Sequence, residues 1–227
     1  MIRIFSALFL FITLSIASFS QTKEQASFPL EPFDKVEVSM GLNVTFSEET
    51  VEKIDISIEN GIPSDVVFLV KGRTLSLKLK NRIGKGVVVN VTISYKELKS
   101  IDASMGSTID NEGILYADML DLSATTDSKI SLKVDTRSVI SNVSMGRIEL
   151  TGETEYQEIN AKAGGKYLAE ELASKQALVK ATSGGTARVL VTEKIDAKAS
   201  TGGTIYYSGN PKNTLWEETF GGTVKSN

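Results

Sequence analysis

The side chains that could perform chemistry in this sequence are mainly carboxylates, because the chain contains no histidine and no cysteine. That absence excludes Ser-His-Asp and Cys-His catalysis, thiolate ligands and the usual zinc sites. Candidates for acid/base chemistry or calcium binding are three acidic pairs: Glu170-Glu171, Glu153 with Glu155, and Glu217-Glu218. A catalytic pair must converge on one ligand, so the elements that carry these residues decide whether they can act.

Neighbouring residues of a strand point to opposite faces, so Glu170 and Glu171 are expected to diverge. Asp102, Asp121 and Asp127 suit a calcium site on stacked coils, but no Gly-Gly-x-Gly-x-Asp repeat is present. The simpler interpretation of all these carboxylates is a solvated surface. The sequence therefore predicts no catalytic residue, no metal site and no cofactor.

The elements that position these residues form a repeat between residues 101 and 207. Turn signals recur at Gly106, Asp127, Gly146, Gly164, Gly184 and Gly202, with gaps of 21, 19, 18, 20 and 18 residues. A fixed period near 19 is typical of a solenoid, in which each unit buries its apolar face only against its neighbours.

Each unit alternates apolar and polar residues before its turn, which predicts a strand. Three residues before the turn signals lies a column of small side chains: Ala103, Ala124, Val143, Ala161, Ala181 and Ala199. After the turn a second column contains Ile109, Ile130, Ile148, Tyr167, Ala187 and Ile205, if the turn at Gly146 is one residue shorter. We expect stacked coils of parallel strands, with the alanines in a narrow corner.

Residues 1–20 are typical of a secretory signal peptide: Arg3, an apolar run over 4–17, and small residues at Ser18 and Ser20. A retained anchor is the alternative, although the run is short for a membrane span and no later segment is apolar enough. Residues 21–32 are polar with two prolines and are predicted to be a tether. The chain is expected to be exported, to the periplasm, outer surface or extracellular space, with no membrane span after processing.

The part of the chain before the repeat, residues 33–100, predicts longer strands, some pairing as antiparallel hairpins, especially across Lys71-Gly72. Val-Glu-Val-Ser-Met-Gly at 36–41 matches Ile-Asp-Ala-Ser-Met-Gly at 101–106, which predicts an opening coil. One β-solenoid domain over 33–227 is therefore favoured, with regular coils over 101–211.

The segment 212–227 carries Leu215, Trp216 and Phe220, which are large and are predicted to be out of phase with the alanine column. The open end of a solenoid must be covered, so this segment is interpreted as a C-terminal cap. Stacking of a sugar on Trp216 is the alternative.

These motifs resemble the putative auto-transporter adhesin family with a head GIN domain, secreted Bacteroidetes proteins of unknown function. The GIN motif reads Gly41-Leu42-Asn43 here, between Val-Glu-Val-Ser-Met and Val44-Thr-Phe. The recurrent Gly-Gly pairs and Ile205-Tyr-Tyr-Ser-Gly-Asn-Pro211 also resemble the family, so that the similarity spans roughly 33–224. The resemblance implies a β-helix-like fold similar to pectin-lyase-type solenoids, without their catalytic residues.

Without Arg3, the chain has 24 basic residues against 28 acidic ones, a net charge of −4, and no basic cluster that would suggest nucleic acid. Lys162, Lys180 and Lys198 are predicted to stack outside the solenoid and oppose sheet association. We expect a non-catalytic envelope protein that binds a glycan or another protein. The alternative is a polysaccharide-active, lyase-like enzyme that uses surface Asp, Glu, Lys and Arg.

Overall fold

The computed structural model describes residues 23–80 and 86–227. The predicted signal peptide, residues 1–20, lies outside the described residues. The described chain is built from strands, apart from one 3₁₀ turn at Pro63–Asp65. In order, the strands are β1 Lys23–Pro29, β2 Lys35–Ser39, β3 Asn43–Glu48, β4 Lys53–Glu59, β5 Val66–Lys71, β6 Thr74–Leu79, β7 Val88–Tyr95, β8 Ser100–Ala103, β9 Thr108–Asn111, β10 Leu115–Thr125, β11 Lys129–Ser144, β12 Arg147–Lys162, β13 Lys166–Thr182, β14 Thr186–Ser200, β15 Thr204–Ser208, β16 Asn213–Thr219 and β17 Thr223–Ser226.

The strands form a β-solenoid of about seven turns that repeat roughly every 19 residues, as the sequence predicted. Successive coils pair in parallel and form two ladders of strands. The ladder before the corner turn runs in the order β8, β10, β11, β12, β13, β14 and β16. The ladder after the turn runs in the order β9, β11, β12, β13, β14, β15 and β17. The predicted alanine column is confirmed, because Ala103, Ala124, Val143, Ala161, Ala181 and Ala199 are matched partners in adjacent coils and are at most 1% exposed.

The corner between the two halves of each coil is a tight turn with two central residues at positive φ. In the turn at 162–165, Ala163 and Gly164 have φ of 50° and 73°, and the Gly165 N–H donates to the Lys162 carbonyl at 2.9 Å. This is the pattern of a type I′ turn. The second glycine has a different function, because a Cβ on Gly165 would lie 2.6 Å from the Val143 carbonyl oxygen of the coil below.

The turn at Gly146 is shorter by one residue, as the second apolar column required. Gly146 is not at positive φ, and a Cβ there would lie 2.8 Å from the carbonyl oxygen of Ala124. Gly146 thus corresponds to the second glycine of the other corners. Arg147 consequently pairs with Lys129 and Lys166, which keeps Ile130, Ile148 and Tyr167 in one column.

The first part of the chain begins the solenoid and then extends it with antiparallel strands. β2 pairs in parallel with β8, and Val36 and Val38 lie opposite Ile101 and Ala103. β5 and β6 form the predicted hairpin across Lys71-Gly72. β4 runs antiparallel to β7, and its three isoleucines are buried.

The predicted tether over 21–32 differs from the structure, because Lys23–Pro29 form strand β1, antiparallel to β4. β1 supplies backbone partners to the second edge of β4. Its Phe28 ring lies 5.4 Å from that of Phe68 in β5, across the N-terminal end of the solenoid. The partner strand is about 30 residues distant in sequence, so the polar composition of β1 alone did not indicate the pairing.

The C-terminal segment is a further coil in register with the others, so the expectation that its large residues are out of phase was wrong for Trp216, although Leu215 lies opposite Asp196, outside the inward columns. β16 pairs with β14, and Trp216 and Glu218 lie opposite Ala197 and Ala199. Larger side chains fit these inward positions because no further described coil lies beyond them. The Trp216 side chain is 61% exposed and that of Phe220 is 88% exposed.

Candidate binding surface

A groove on the described surface has a volume of about 690 Å³ and crosses four adjacent coils. It lies beside the half of each coil that follows the corner turn, on β9, β11, β12 and β13. We call it the acidic groove, and its lining residues are Asp110, Asn111, Ser131, Leu132, Lys133, Glu149, Leu150, Thr151, Leu168, Glu170 and Glu171. Carboxylates, amides and hydroxyls alternate there with leucine side chains.

One wall of the acidic groove is formed by an irregularity in β13. The pairing with β14 jumps from Ala169–Val189 to Ala173–Leu190, so that Glu170, Glu171 and Leu172 have no matched partner in that coil. Glu170 and Glu171 are both exposed and both line the groove, whereas Leu172 is buried. The prediction that the two carboxylates diverge was wrong, because strand alternation fails where extra residues bulge from the ladder.

The carboxylate of Glu149 is fixed on the outer face by two cations. The Lys129 Nζ lies 2.7 Å from its Oε2, and the Arg147 Nε donates to its Oε1. Partial burial raises the pKa of Glu149, but the hydrogen bonds from Lys129 and Arg147 outweigh that effect and the net pKa is below its usual value. Glu149 is therefore a charged, oriented acceptor, which does not suit a general acid at neutral pH.

A stacked arginine supports the other side of the groove. The guanidinium of Arg188 lies 4.3 Å from the centre of the Tyr206 ring, and its Nη1 is 3.5 Å from Oε1 of Glu170. Cation–π stacking of this kind orients a side chain that would otherwise sample many rotamers. Glu170 and Arg188 thus present a paired acceptor and donor in adjacent coils.

The amide of Asn111 is held by the backbone of the next coil. Its Nδ2 donates to the Lys133 carbonyl at 3.0 Å, and its Oδ1 accepts from the Lys133 N–H at 2.9 Å. The Ser131 hydroxyl donates to Oε2 of Glu149 at 3.4 Å, and Thr151 adds a second hydroxyl to the groove. Oriented acceptors beside hydroxyl groups suit a ligand that is rich in hydroxyl groups.

The other acidic pairs differ in where their members lie. Glu153 and Glu155 lie on one outer face and line a smaller groove, but Glu155 is already paired with Lys175 at 2.7 Å. Glu217 points outward and pairs with Lys198 at 3.6 Å, whereas Glu218 is in an inward register and accepts from the Val224 N–H. Acid/base chemistry between the members of these pairs finds no support in this arrangement.

The calcium alternative also lacks a suitable arrangement. Asp102 lies opposite Ser123, Asp121 opposite Ser100, and Asp127 lies in a corner turn. Across residues 23–80 and 86–227, no three His, Cys, Asp or Glu side chains are placed to hold a metal ion.

The lysine prediction is partly wrong. Lys180 and Lys198 are neighbours in adjacent coils, but Lys162 lies opposite Ser144, two positions further along the strand. Lys180 instead lies opposite Asn160.

A column of alternating charge, which was not predicted from the sequence, crosses the middle of the long strands β10, β11, β12 and β13. Asp118 accepts two hydrogen bonds from Arg137, at 2.6 and 2.7 Å, and Glu155 accepts one from Lys175 at 2.7 Å. Asp118, Arg137, Glu155 and Lys175 are 19, 18 and 20 residues apart, which is the spacing of the repeat. The repeat spacing of these four residues could therefore have revealed the column from the sequence.

Helices that could cross a membrane do not occur in the described parts of the chain. The family model for "Putative auto-transporter adhesin, head GIN domain" matches residues 32–211. Among curated proteins, none matches this chain.

Solved structures share the fold at low sequence identity. A putative adhesin from Bacteroides fragilis has 20% identity and a TM-score of 0.81, covering 92% of this chain and 98% of its own. A putative adhesin from Parabacteroides distasonis has 16% identity and a TM-score of 0.73, covering 91% and 98%. A protein from the same organism described as a putative lipid binding protein has 16% identity and a TM-score of 0.68, covering 90% and 96%.

Proposed function

This chain belongs to the family of putative auto-transporter adhesins with a head GIN domain, and from that premise we propose that it is an exported, non-catalytic binding protein that holds a surface glycan in the acidic groove. The observation that carries the proposal is the groove itself, which spans four coils of a rigid, continuously hydrogen-bonded solenoid. Adhesion needs a fixed, extended surface more than it needs a reactive group.

The groove favours binding over bond cleavage. Glu149 is held ionised between Lys129 and Arg147, and Glu170 is paired with Arg188. A lyase or hydrolase needs an acid or base whose pKa is close to the working pH. The lowered pKa of Glu149 does not meet that need, so Glu149 instead acts as a fixed hydrogen-bond acceptor for hydroxyl groups.

A hydroxylated ligand also fits the groove better than an acyl chain. The groove is open along its length and four carboxylates line it, namely Asp110, Glu149, Glu170 and Glu171. An acyl chain would have to desolvate these charges without offering them a partner. The lipid-binding description of one structural relative is therefore not extended to this chain.

The test is a binding screen of the exported protein against glycans and envelope components from its own cell surface. We expect a hit whose affinity falls at least about tenfold, the loss of about one charge-assisted hydrogen bond, in a Glu170→Ala, Glu171→Ala double variant. Glu193→Ala is the matched control, since Glu193 is exposed on β14 and lies outside the groove. Equal affinity of the double variant and wild type would reject the groove as the site.

An activity assay separates binding from the enzymatic alternative. The protein is incubated with acidic polysaccharides, with and without calcium, and the products are separated by size. We expect unchanged chain lengths. If the wild type shortens the polysaccharide and the Glu170→Ala, Glu171→Ala variant does not, the protein is an enzyme and the non-catalytic assignment is overturned.

A further inference from the structure

The two ladders of the solenoid each end in a strand that has one unpaired edge. At the N-terminal end these strands are β5, which pairs only with β6, and β1, which pairs only with β4. At the C-terminal end they are β16, which pairs only with β14, and β17, which pairs only with β15. Within the described residues nothing pairs with these edges, and their free N–H and C=O groups form a template for another strand.

Both ends also expose apolar side chains. β5 has the sequence VVFLVK, and its Leu69 is 63% exposed while Phe68 and Val70 face the core. At the other end Trp216 is 61% exposed and the corner residue Phe220 is 88% exposed. Solenoids normally end in repeats with a polar outer face, which keeps them soluble and separate. Neither end of the described chain meets that description.

We propose that copies of this chain associate end to end, with the β16 edge of one copy docking against the β5 edge of the next. The two edges terminate the same ladder, because β5 continues through β6, β2 and β8 to the coils that end at β16. Val70 and Trp216 are the first and last members of one inward column of that ladder. A second copy stacked along the axis therefore offers an apolar edge to the exposed Trp216.

Charge selects this arrangement over one in which two C-terminal ends meet. β16 carries Glu217 and Glu218 and no basic residue, whereas β5 carries Lys71 and no acidic residue. Two β16 edges would bring four carboxylates together, and like charges at an interface oppose association. The β5 edge instead faces β16 with a positive charge and no negative one. A contact between two different surfaces of the same protein builds a linear chain of copies.

The test uses sedimentation velocity on the exported, full-length protein over a range of concentrations. We expect the weight-average mass of the wild type to rise with concentration beyond that of a dimer. Trp216→Lys blocks the C-terminal end and Leu69→Lys the N-terminal end, so each variant alone should remain monomeric. Tyr116→Lys is the matched control, since Tyr116 is 58% exposed on β10, away from both ends, and it should associate like the wild type.

Mixing the two blocked variants gives the decisive measurement. Each retains one intact end, so an equimolar mixture should form a dimer and nothing larger, which also shows that both variants are folded. A monomeric wild type at every concentration would overturn the proposal. So would a mixture that stays monomeric. Trp216 fluorescence is also measured with envelope glycan fragments. A shift that does not depend on protein concentration would mean that a glycan, and not a second copy, binds the C-terminal end, and it would overturn the proposal.

Discussion

The first part of the chain and the regular coils differ in how tightly their interiors are built. Three of the four fully buried aromatic side chains, Phe33, Phe46 and Tyr95, lie in the first part, and the fourth is Tyr167. The coils also bury leucines and isoleucines, but one of their inward columns is alanine, and a Cβ on the second glycine of a corner would meet the backbone of the coil below. Close approach of main chains is thus a feature of the coils, whereas the first part has more bulky side chains at its centre. Removal of atoms should damage the first region most, and addition of atoms the second.

The largest effect is expected when a methyl group is added between two coils. A Cβ on Gly185 would lie 2.3 Å from the carbonyl oxygen of Ala161 and 2.9 Å from the Lys162 nitrogen, and neither backbone atom can move alone. We expect Gly185→Ala to lower the free energy of unfolding by about 4 kcal/mol or more, in the range that marks a specific steric conflict. Chemical denaturation would measure the loss.

The neighbouring glycine provides the control. Gly184 has a φ of 74° but open space around its Cβ position, with one backbone atom at 4.0 Å. Gly184→Ala should cost only the left-handed conformation, about 1–2 kcal/mol. A greater loss at Gly184 than at Gly185 would mean that turn conformation, and not the spacing of coils, limits this region.

Removal of volume should act in the reverse order. Ile54 is fully buried in the antiparallel part, and Ile54→Ala should cost about 3 kcal/mol because the cavity cannot collapse. Val143 is equally buried, but its column neighbours Ala124 and Ala161 show that the corner accepts alanine. Val143→Ala should cost about 1 kcal/mol. Urea unfolding of both variants tests the comparison. If the two variants lose the same free energy of unfolding per removed carbon atom, the two regions do not differ in this respect.

The same difference explains how much of the fold was predictable. The period, the alanine column and the hairpin at Lys71-Gly72 were predicted because each depends on local alternation and on turn residues. The strand at Lys23–Pro29 was not, because its stability comes from an edge of β4 that no local pattern reveals. The register of Trp216 was missed because its position was compared with the alanine column, whereas it belongs to the neighbouring inward column that contains Val179 and Ala197.

The candidate site was less predictable than the fold. Glu170 and Glu171 were identified, but their common exposure on the groove depends on a bulge that breaks the alternation used to place them. The groove also needs Asn111, Glu149 and Arg188, which come from different coils and show no motif in the sequence. Ion pairs between coils follow the 19-residue spacing, but spacing alone does not distinguish an ordered pair from two solvated charges.

A smaller effect should separate the two faces of one coil strand. Ala181 is buried in the narrow corner, and Ala181→Leu adds atoms there at a cost of about 1–3 kcal/mol. The adjacent Lys180 is exposed, so Lys180→Leu should change the free energy of unfolding by less than about 0.5 kcal/mol. Chemical denaturation of the two variants tests both values. A larger loss at Lys180 would contradict the assignment of inward and outward positions.

Another small effect is expected where the two regions join, at the buried carboxylate of Asp34. Arg73, from the β5–β6 turn, lies 3.0 Å from Asp34 Oδ2, and Lys99, at the start of the coils, lies 3.4 Å from it. Burial raises the pKa of Asp34, but the hydrogen bonds from Arg73 and Lys99 outweigh it, so the net pKa lies below the ordinary value of 3.8. Both cations are about half exposed, and solvent screening limits the contribution of Asp34 to about 1 kcal/mol.

The sign of the pH dependence follows from that lowered pKa. The stabilisation is fully present above the unfolded-state value near 3.8 and is lost as the pH falls through the lower pKa of the folded state. Asp34→Asn should therefore be less stable than the wild type at pH 7, and the difference should shrink as the pH falls below 3.8. Urea unfolding of both proteins across this range measures it, with the exposed Asp102→Asn as a control that should change stability little. A difference independent of pH would mean that Asp34 joins the two regions by shape alone, and that the carboxylate charge contributes nothing to the junction.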